Sequence, residues 1–218
     1  MERLICVAIG YLFGLFQTGY IYGKIKHVDI RKHGSGNAGA TNALRTLGWK
    51  AGAITFLGDC LKCVLAVLVV RSIFAQQPNI ELLAMYSGLG AVLGHNYPCY
   101  LQFKGGKGIA TTAGLVLSIN PLIFLMLFIV FVIILLTTKY VSLGSLVIAV
   151  LLVAEIVWFG QMGKFHLTGM ALYEFYGIAV FLAALAFWRH RANIKRLITG
   201  TENKIDIIKM CKKSKMES

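Results

Sequence analysis

Three polar stretches interrupt an otherwise apolar sequence, and each contains residues that could bind an anion. The first is HGSGNAGATNALR (33–45), the second is GHNYPCYLQFKGGKGIATTAG (94–114), and the third is RHRANIKRLITGTE (189–202). Glycine-rich turns free backbone N–H groups to surround an anion, and arginine adds a fork of donors that matches phosphate oxygens. The chemistry indicated is the binding of small molecules that carry phosphate.

The glycines of the first stretch also fit a dinucleotide-binding pattern. Gly34, Gly36 and Gly39 satisfy G-x-G-x-x-G, and Asp59 follows the last glycine by 20 residues. That pattern binds a dinucleotide only between a strand and a helix of a βαβ unit. An apolar run of helix length precedes this stretch instead, so the dinucleotide interpretation fails. What remains is an anion site formed by the glycine-rich backbone, the start of the next helix and Arg45, with a flexible cytoplasmic loop as the alternative.

The second stretch repeats this chemistry with Lys104, Gly105, Gly106 and Lys107. It is not a Walker A loop, because glycine rather than serine or threonine follows Lys107. Its segment GKGIATTA parallels GNAGATNA of the first stretch, since each has glycine, three variable residues, Ala-Thr, a polar residue and alanine. We expect two neighbouring anion-binding turns, each at the start of a helix. A match of eight residues also leaves chance as an alternative.

The third stretch contributes His190 and Asn193, which are three residues apart and would share one helix face. Its arginines and lysines are also typical of a basic segment that follows a membrane span. The short connection KYVSLGS brings Ser142 to the same side of the membrane. The role of His95 stays open, because it could be a ligand, an acid–base group or a partner for backbone groups near Pro98.

Two charged residues, Asp59 and Lys62, fall inside an apolar run, where an unpaired charge is costly. Their spacing allows them to pair on one helix face, and we interpret them as a pair that braces the site. Cys60 and Cys63 resemble half of a zinc motif, but no second pair follows them. We interpret both as small buried hydrophobic residues and expect no metal site.

The composition indicates that these residues are positioned by membrane helices. Of the 218 residues, 57% are hydrophobic and 14% are charged, and the mean hydropathy is +0.72. Soluble domains have about 25% charged residues. The 22 lysines and arginines exceed the 9 acidic residues, which gives a net charge of +13 and suits an anionic lipid or substrate. Nucleic acid is excluded as a partner, because no soluble domain remains outside the apolar runs.

Six apolar runs are the candidates for membrane helices. They cover residues 4–22, 51–70, 82–93, 115–136, 141–159 and 172–188. No small-residue cleavage site follows the first run, so we interpret it as a retained membrane helix rather than a signal peptide. Asn120-Pro121 interrupts the fourth run and leaves a short helix over residues 108–119, about 18 Å long. The hydrocarbon core is about 30 Å thick, so this helix must start deep, beside a hollow.

The distribution of lysine and arginine predicts the orientation in the membrane. Residues 23–50 contain six of them and residues 189–215 contain nine, so both segments should lie in the cytoplasm. Residues 71–81 contain one basic and one acidic residue and should lie outside. With the amino terminus outside, this arrangement needs an odd number of crossings. We therefore predict an all-α integral membrane protein with seven transmembrane helices, one of them short, and a cytoplasmic carboxyl terminus.

Together, the three polar stretches resemble motifs of the bacterial acyl-phosphate:glycerol-3-phosphate acyltransferases. The likeness rests on GSGNAGATN, GHNYPCYLQFKGGKGIAT and RHRANIKRLITGTE in this order, and it covers about residues 4–202. It implies an inner-membrane enzyme with seven spans, an outer amino terminus and a cytoplasmic active site. It also implies the transfer of a fatty acyl group from acyl phosphate to the 1-hydroxyl of glycerol 3-phosphate, giving lysophosphatidic acid and phosphate. This reaction is the first acylation in phospholipid synthesis.

The resemblance also implies roles for individual residues. Ser35, Asn37, His190 and Asn193 are the expected catalytic residues. The expected substrate-binding residues are Gly34, Gly36, Arg45, Lys104, Gly105, Gly106, Lys107 and, by a weaker local match, Ser142. Either His190 or a substrate phosphate would accept the proton of the attacking hydroxyl. No cofactor is expected, because acyl phosphate is already activated, and no His-x4-Asp motif indicates an acyl-CoA enzyme.

We expect one membrane domain over residues 1–202 and a basic cytoplasmic tail over residues 203–218 that contacts anionic lipid. The expected partners are the two small-molecule substrates and membrane lipid, and the sequence does not indicate an oligomeric state. The alternative function is a transporter of a phosphorylated solute. A transporter would place its polar groups near the middle of the membrane, whereas these groups gather at one face.

Overall fold

A computed structural model describes residues 1–205, which fold into ten α-helices without a β-strand. The helices are α1 (Glu2–Gly14), α2 (Thr18–Ile25), α3 (Ala40–Leu47), α4 (Trp49–Ile73), α5 (Ile80–Asn96), α6 (Ile109–Ile119), α7 (Pro121–Thr138), α8 (Val141–Gln161), α9 (Gly169–Arg189) and α10 (Arg191–Ile198). Two 3-10 turns, Ile30–Lys32 and Cys99–Leu101, lie in the loops. The prediction of an all-α fold is confirmed.

Within the described residues, five helical segments are long and apolar enough to cross a membrane. They are Glu2–Ile25 (α1 with α2), α4, α7, α8 and α9. Helix α5 has 17 residues, and the apolar helix α6 has only 11, or about 16 Å of length. This set of helices is typical of a protein that crosses the membrane several times.

The predicted break at Pro121 is present in the structure. Asn120 leaves helical geometry, with φ −155° and ψ 107°, and separates α6 from α7. Its side-chain Oδ1 accepts hydrogen bonds from the N–H groups of Leu122 (2.9 Å) and Ile123 (3.3 Å). Pro121 occupies the first position of α7, where its missing N–H needs no partner. The run is therefore two helices, and α6 is short as predicted.

The first apolar run differs from the single helix that its composition predicts. The chain departs from helical geometry at Gln17 (φ −98°, ψ 88°), which separates α1 from α2. The buried amide Nε2 of Gln17 lies within hydrogen-bonding distance of the carbonyl oxygens of Gly14 (3.1 Å), Gly94 (3.4 Å) and His95 (3.1 Å). Backbone groups inside a membrane need such internal partners. Two of these partners belong to α5, which the local pattern cannot show.

Helix α1 lies against α5 at very short range. A Cβ atom on Gly10 would lie 1.9 Å from the carbonyl oxygen of Ser87, and one on Gly94 would lie 2.3 Å from that of Tyr11. Small residues allow this close approach of two backbones, as is common between membrane helices. The main apolar core lies farther along the chain, among α4 to α9.

The connections before α3, α6, α8 and α10 lie together at one end of the helix bundle, which we name the site end. Two ion pairs brace the opposite end. Arg3 on α1 pairs with Glu174 on α9 at 2.8 Å, and Arg71 on α4 pairs with Glu81 on α5 at 2.6 Å. The bundle is therefore joined by charged side chains at the end that is remote from the polar stretches.

The segment after α10 folds back onto the bundle. Ile205 is buried, and its N–H donates to the carbonyl oxygen of Lys139 at 2.8 Å. The predicted basic tail therefore begins with residues that contact the connection between α7 and α8. The rest of that tail, from residue 206 to residue 218, lies outside the described residues.

Candidate active site

A cavity of about 380 Å³ opens at the site end, where four polar segments converge. These segments are the loop before α3, the start of α6, the start of α8 and the junction of α9 with α10. Seven of the twelve predicted site residues contribute to its lining: Ser35, Asn37, Arg45, Lys107, Ser142, His190 and Asn193. The structure thus brings together polar groups that lie up to 158 residues apart in the chain.

Asn42, which the sequence analysis did not single out, organises the loop before α3. Its side-chain Oδ1 accepts the N–H of Ser35 at 2.8 Å. Its Nδ2 lies within hydrogen-bonding distance of the carbonyl oxygens of Ile30 (2.7 Å), His33 (3.1 Å) and Asn37 (2.9 Å). The Asn42 side chain is buried, so these bonds have little competition from water. One amide therefore determines where Ser35 and Asn37 face the cavity. The sequence feature that could have pointed to Asn42 is that it is the second asparagine within the glycine-rich stretch.

Gly34 and Gly36 shape the turn of this loop and do not line the cavity, whereas Gly39 does. Gly34 and Gly36 have φ values of +59° and +70°, in the left-handed region that favours glycine. A Cβ atom on Gly34 would lie 2.3 Å from Oδ1 of Asn42. The side chain of Asn37 accepts the N–H of Gly39 at 2.9 Å, at the start of α3. In this structure Gly34 and Gly36 determine the conformation of the loop, and their binding of substrate stays a prediction.

Gly105 and Gly106 do not line the cavity either, and both are buried. Arg189 donates to the carbonyl oxygens of both, at 3.1 Å to Gly105 and 2.7 Å to Gly106. Lys104, at the outer edge of the same loop, is exposed and does not line the cavity. Lys107 does, and it is the lysine of this stretch that is placed to meet an anion there.

Lys107 and Arg45 supply positive charge to the cavity wall. The ammonium group of Lys107 donates a hydrogen bond to Oδ1 of Asn193. Burial lowers the pKa of Lys107 to about 8, with Glu202 opposing this shift and Arg196 and Arg45 reinforcing it. Burial also lowers the pKa of Arg45 from its usual value, although arginine stays charged in proteins. At neutral pH the cavity therefore presents two cations to a phosphate.

Glu202 is a second residue to which the sequence analysis gave no role, although it lies in the third polar stretch. Its buried carboxylate accepts hydrogen bonds from Nδ2 of Asn193 (2.8 Å), Nε of Arg196 (2.7 Å) and Oγ of Ser142 (3.1 Å). Burial acts to raise the pKa of Glu202, but these hydrogen bonds and the charge of Arg196 lower it below its usual value. The carboxylate therefore ties α8 to α10 and orients Asn193 and Ser142. The sequence feature that could have pointed to Glu202 is an acidic residue within an otherwise basic segment.

His190 lies at the bend between α9 and α10 and lines the cavity. Its Nδ1 is 2.8 Å from the carbonyl oxygen of Ala186, so we assign the proton to Nδ1, which leaves Nε2 as an acceptor. Burial and the nearby charge of Lys107 lower the pKa of His190 to about 4, despite the hydrogen bond to Ala186. The imidazole is therefore neutral at physiological pH and can accept a hydrogen bond from a hydroxyl group.

An apolar groove adjoins the polar cavity. It lies among α6, α7, α8 and α9, and it shares Phe56, Ile109, Phe131 and Ser145 with the cavity wall. Its lining is mostly apolar and includes Ala149 at mid-depth. From Ser145 to Leu152 the groove follows α8 for eight residues, a rise of about 10 Å. A fatty chain could lie in this groove while its polar head occupies the cavity.

The two charges predicted within a span do pair, since Nζ of Lys62 lies 2.9 Å from Oδ1 of Asp59. Asp59 and His95 both contribute to the floor of the cavity. Cys60 and Cys63 are buried free cysteines. Over residues 1–205, no group of three or more histidine, cysteine, aspartate or glutamate side chains is arranged to hold a metal ion.

Comparison with known proteins connects this geometry to a family. A family model described as "Glycerol-3-phosphate acyltransferase" matches residues 4–200. A curated relative from Clostridioides difficile, a glycerol-3-phosphate acyltransferase, is 47% identical over 206 residues, which cover 93% of this chain and 95% of the relative. A glycerol-3-phosphate acyltransferase from Alkaliphilus metalliredigens is 44% identical and covers 94% of this chain and 97% of its own.

Solved structures show the same fold. The crystal structure of PlsY (YgiH), an integral membrane glycerol 3-phosphate acyltransferase in its glycerol 3-phosphate form, matches with a TM-score of 0.81. It is 35% identical, and the match covers 96% of this chain and 98% of PlsY. The lysophosphatidic acid form of the same protein matches with a TM-score of 0.80 and 34% identity.

Proposed function

This chain belongs to the glycerol-3-phosphate acyltransferase family, and we propose that it transfers a fatty acyl group from acyl phosphate to the 1-hydroxyl of glycerol 3-phosphate. The products are lysophosphatidic acid and phosphate, so this is the first acylation in phospholipid synthesis. The observation that carries the proposal is the junction of a cationic polar cavity with an apolar groove. A phosphate-bearing head and a fatty chain need these two environments side by side. A transporter is disfavoured, because the relatives and the structures described are acyltransferases.

The cavity must hold two phosphate groups close together. Two unit charges 4 Å apart repel by about 4 kcal/mol at an effective dielectric constant of 20. Arg45 and Lys107 offset this repulsion, and the free N–H groups at the start of α6 add the positive end of a helix dipole. The acyl chain then lies in the groove. It passes between Phe131 and Ile109, which line both the groove and the cavity, and this position holds the acyl carbonyl at the cavity.

The reaction follows from this placement. The hydroxyl oxygen of glycerol 3-phosphate attacks the acyl carbonyl carbon, the bond between that carbon and the phosphate oxygen breaks, and phosphate leaves with the electron pair. Ser35 and Asn37 are placed to hydrogen-bond the carbonyl or a phosphate oxygen. His190 is a weak base, because its pKa is about 4. We therefore assign the proton of the hydroxyl to the departing phosphate, and we assign to Nε2 of His190 the orientation of that hydroxyl.

For the membrane arrangement, we propose seven crossings with the amino terminus outside and the site end in the cytoplasm. In this arrangement α5 and the short α6 also cross, with α6 sheltered by α4 and α5. The support is the charge bias, since residues 23–50 at the site end contain six lysines and arginines. The enzyme then acts at the cytoplasmic face of the inner membrane.

The purified protein tests this proposal directly. We expect it to form lysophosphatidic acid from palmitoyl phosphate and glycerol 3-phosphate, with release of one phosphate per ester formed. The matched arm replaces palmitoyl phosphate by palmitoyl-CoA and should give no product. If only palmitoyl-CoA gave product, the assignment of acyl phosphate as the donor would be wrong. If neither donor gave product, the proposed function would be wrong.

A further inference from the structure

A buried ammonium group lies beneath the active site and has no role in the mechanism above. Nζ of Lys62 lies 2.9 Å from Oδ1 of Asp59, 2.7 Å from the carbonyl oxygen of Phe16 and 2.8 Å from Nδ1 of His95. An ammonium group has three N–H donors, and we assign the proton of the His95 ring to Nε2, so that Nδ1 and the two oxygens accept from all three donors. The Lys62 side chain is only 4% exposed, so these contacts decide its position. Lys62 thus links α4, the break between α1 and α2, and α5.

Through His95, this network reaches the loop that carries Lys107. The carbonyl oxygen of His95 accepts the N–H of Gly106 at 3.0 Å. The imidazole is packed against the same glycine, since a Cβ atom on Gly106 would lie 1.9 Å from Nε2 of His95. His95 is itself buried. Both the backbone and the ring of His95 therefore determine where Gly106 lies.

The opposite side of this loop is held as well. Arg189 donates to the carbonyl oxygens of Gly105 and Gly106, and the N–H of Gly105 donates to the carbonyl oxygen of Asn96 at 3.2 Å. The two glycines are thus clamped between α5 and the end of α9. Lys107 is the next residue, so the position of Gly106 sets the point from which the Lys107 side chain enters the cavity.

We propose that Lys62 is a positioning residue for the acyl transfer. By holding the His95 ring against Gly106, it places Lys107 where the phosphate of glycerol 3-phosphate binds. This inference rests on the proposed function. The competing explanation is that Lys62 and Asp59 only stabilise the fold. Loss of Lys62 alone cannot separate the two explanations, because it leaves the Asp59 carboxylate buried without its partner, which is strongly destabilising.

The decisive comparison is between the wild type and the double variant D59N/K62M. The double variant removes the ammonium group and the carboxylate together, so no buried charge is left without a partner, whereas D59N alone would leave the Lys62 ammonium group unpaired. We expect the double variant to accumulate in membranes like the wild type and to have a similar melting temperature. Its KM for glycerol 3-phosphate should be at least about tenfold higher than that of the wild type, with a smaller change in kcat, because a misplaced binding group can lower activity by up to about 100-fold.

The control is R3M/E174Q, which neutralises the ion pair at the opposite end and should leave KM unchanged. If the double variant and the wild type have equal KM values, Lys62 has no positioning role. If the double variant fails to accumulate, D59N/K62Q takes its place, because the shorter amide stays polar but leaves His95 without the ammonium. Failure of both variants to accumulate, with the wild type present in the membrane, would assign Lys62 to the fold alone and overturn the proposal. A wild-type protein without activity would instead contradict the proposed function.

Discussion

Replacing Asn42 by aspartate removes the N–H donors that hold the loop before α3 while preserving the size of the side chain. The carboxylate still accepts the N–H of Ser35. Its other oxygen, however, faces the carbonyl oxygens of Ile30, His33 and Asn37, to which Nδ2 of asparagine donates. The loop therefore exchanges attraction for repulsion at the contacts that place Ser35 and Asn37 at the cavity.

The size of the effect follows from the two N–H groups that are lost. Each intramolecular hydrogen bond contributes about 0.5–1.5 kcal/mol net. Two of them amount to about 1–3 kcal/mol, and burial of the new carboxylate adds to this cost, so KM should increase by at least about fivefold. We expect this increase for glycerol 3-phosphate, because we propose that Ser35 and Asn37 on this loop hydrogen-bond the reacting carbonyl or a phosphate oxygen. The cost falls on the loop before α3, and the core among α4 to α9 keeps its partners, so the membrane helices should remain folded.

Initial rates of lysophosphatidic acid formation at saturating palmitoyl phosphate measure this effect. The control is Thr46→Ala on the same helix, because the hydroxyl of Thr46 donates to the carbonyl oxygen of Asn42, within α3. We expect the control to change KM by less than about twofold. If Asn42→Asp stays folded and its KM remains within the range of the control, the loop does not position the substrate as we infer.

Three further predictions concern the cavity and the groove. Lys107→Met should raise KM for glycerol 3-phosphate by at least about tenfold, whereas Lys104→Met, which changes an exposed residue, should leave it nearly unchanged. In the wild type, KM for glycerol 3-phosphate should rise between about pH 7 and pH 9, because Lys107 has a pKa of about 8 and loses its charge over that range. Ala149→Phe should fill the groove and shift the preference from palmitoyl to octanoyl phosphate by about tenfold, as measured by the ratio of kcat/KM values.

Each of these predictions has an outcome that would contradict it. If Lys104→Met raised KM for glycerol 3-phosphate as much as Lys107→Met, Lys104 would bind the substrate as well. The pH dependence above pH 7 should be absent in Lys107→Met, and its persistence there would assign it to another group. For the groove, Val150→Phe is the control, because Val150 follows Ala149 in the chain but is 56% exposed on the lipid side. An equal shift in both phenylalanine variants would show that the groove does not determine the preference for acyl chain length.

Much of the fold could be predicted from the sequence, because membrane helices are recognisable from local composition. Each long helix satisfies its backbone hydrogen bonds internally and needs only enough apolar residues to span the bilayer. The break at Pro121 was also a local property, since proline and the Asn120 cap act on their own neighbours. The break at Gln17 was not, because its amide is held partly by Gly94 and His95, on a helix that lies much later in the chain.

The sequence by itself indicated which polar stretches gather at the site end of the bundle, because charge and glycine content are properties of a stretch. Only the tertiary structure decided which side chain in each stretch faces the cavity. The sequence does not distinguish Lys104 from Lys107, because both are lysines of the same glycine-rich stretch. The packing of Gly106 on His95 directs Lys107, and not Lys104, into the cavity. Glu202 likewise acquires its role only because α8 and α10 bring Ser142 and Asn193 to it. Such choices depend on contacts between distant segments, and those contacts exist only once the helices have packed.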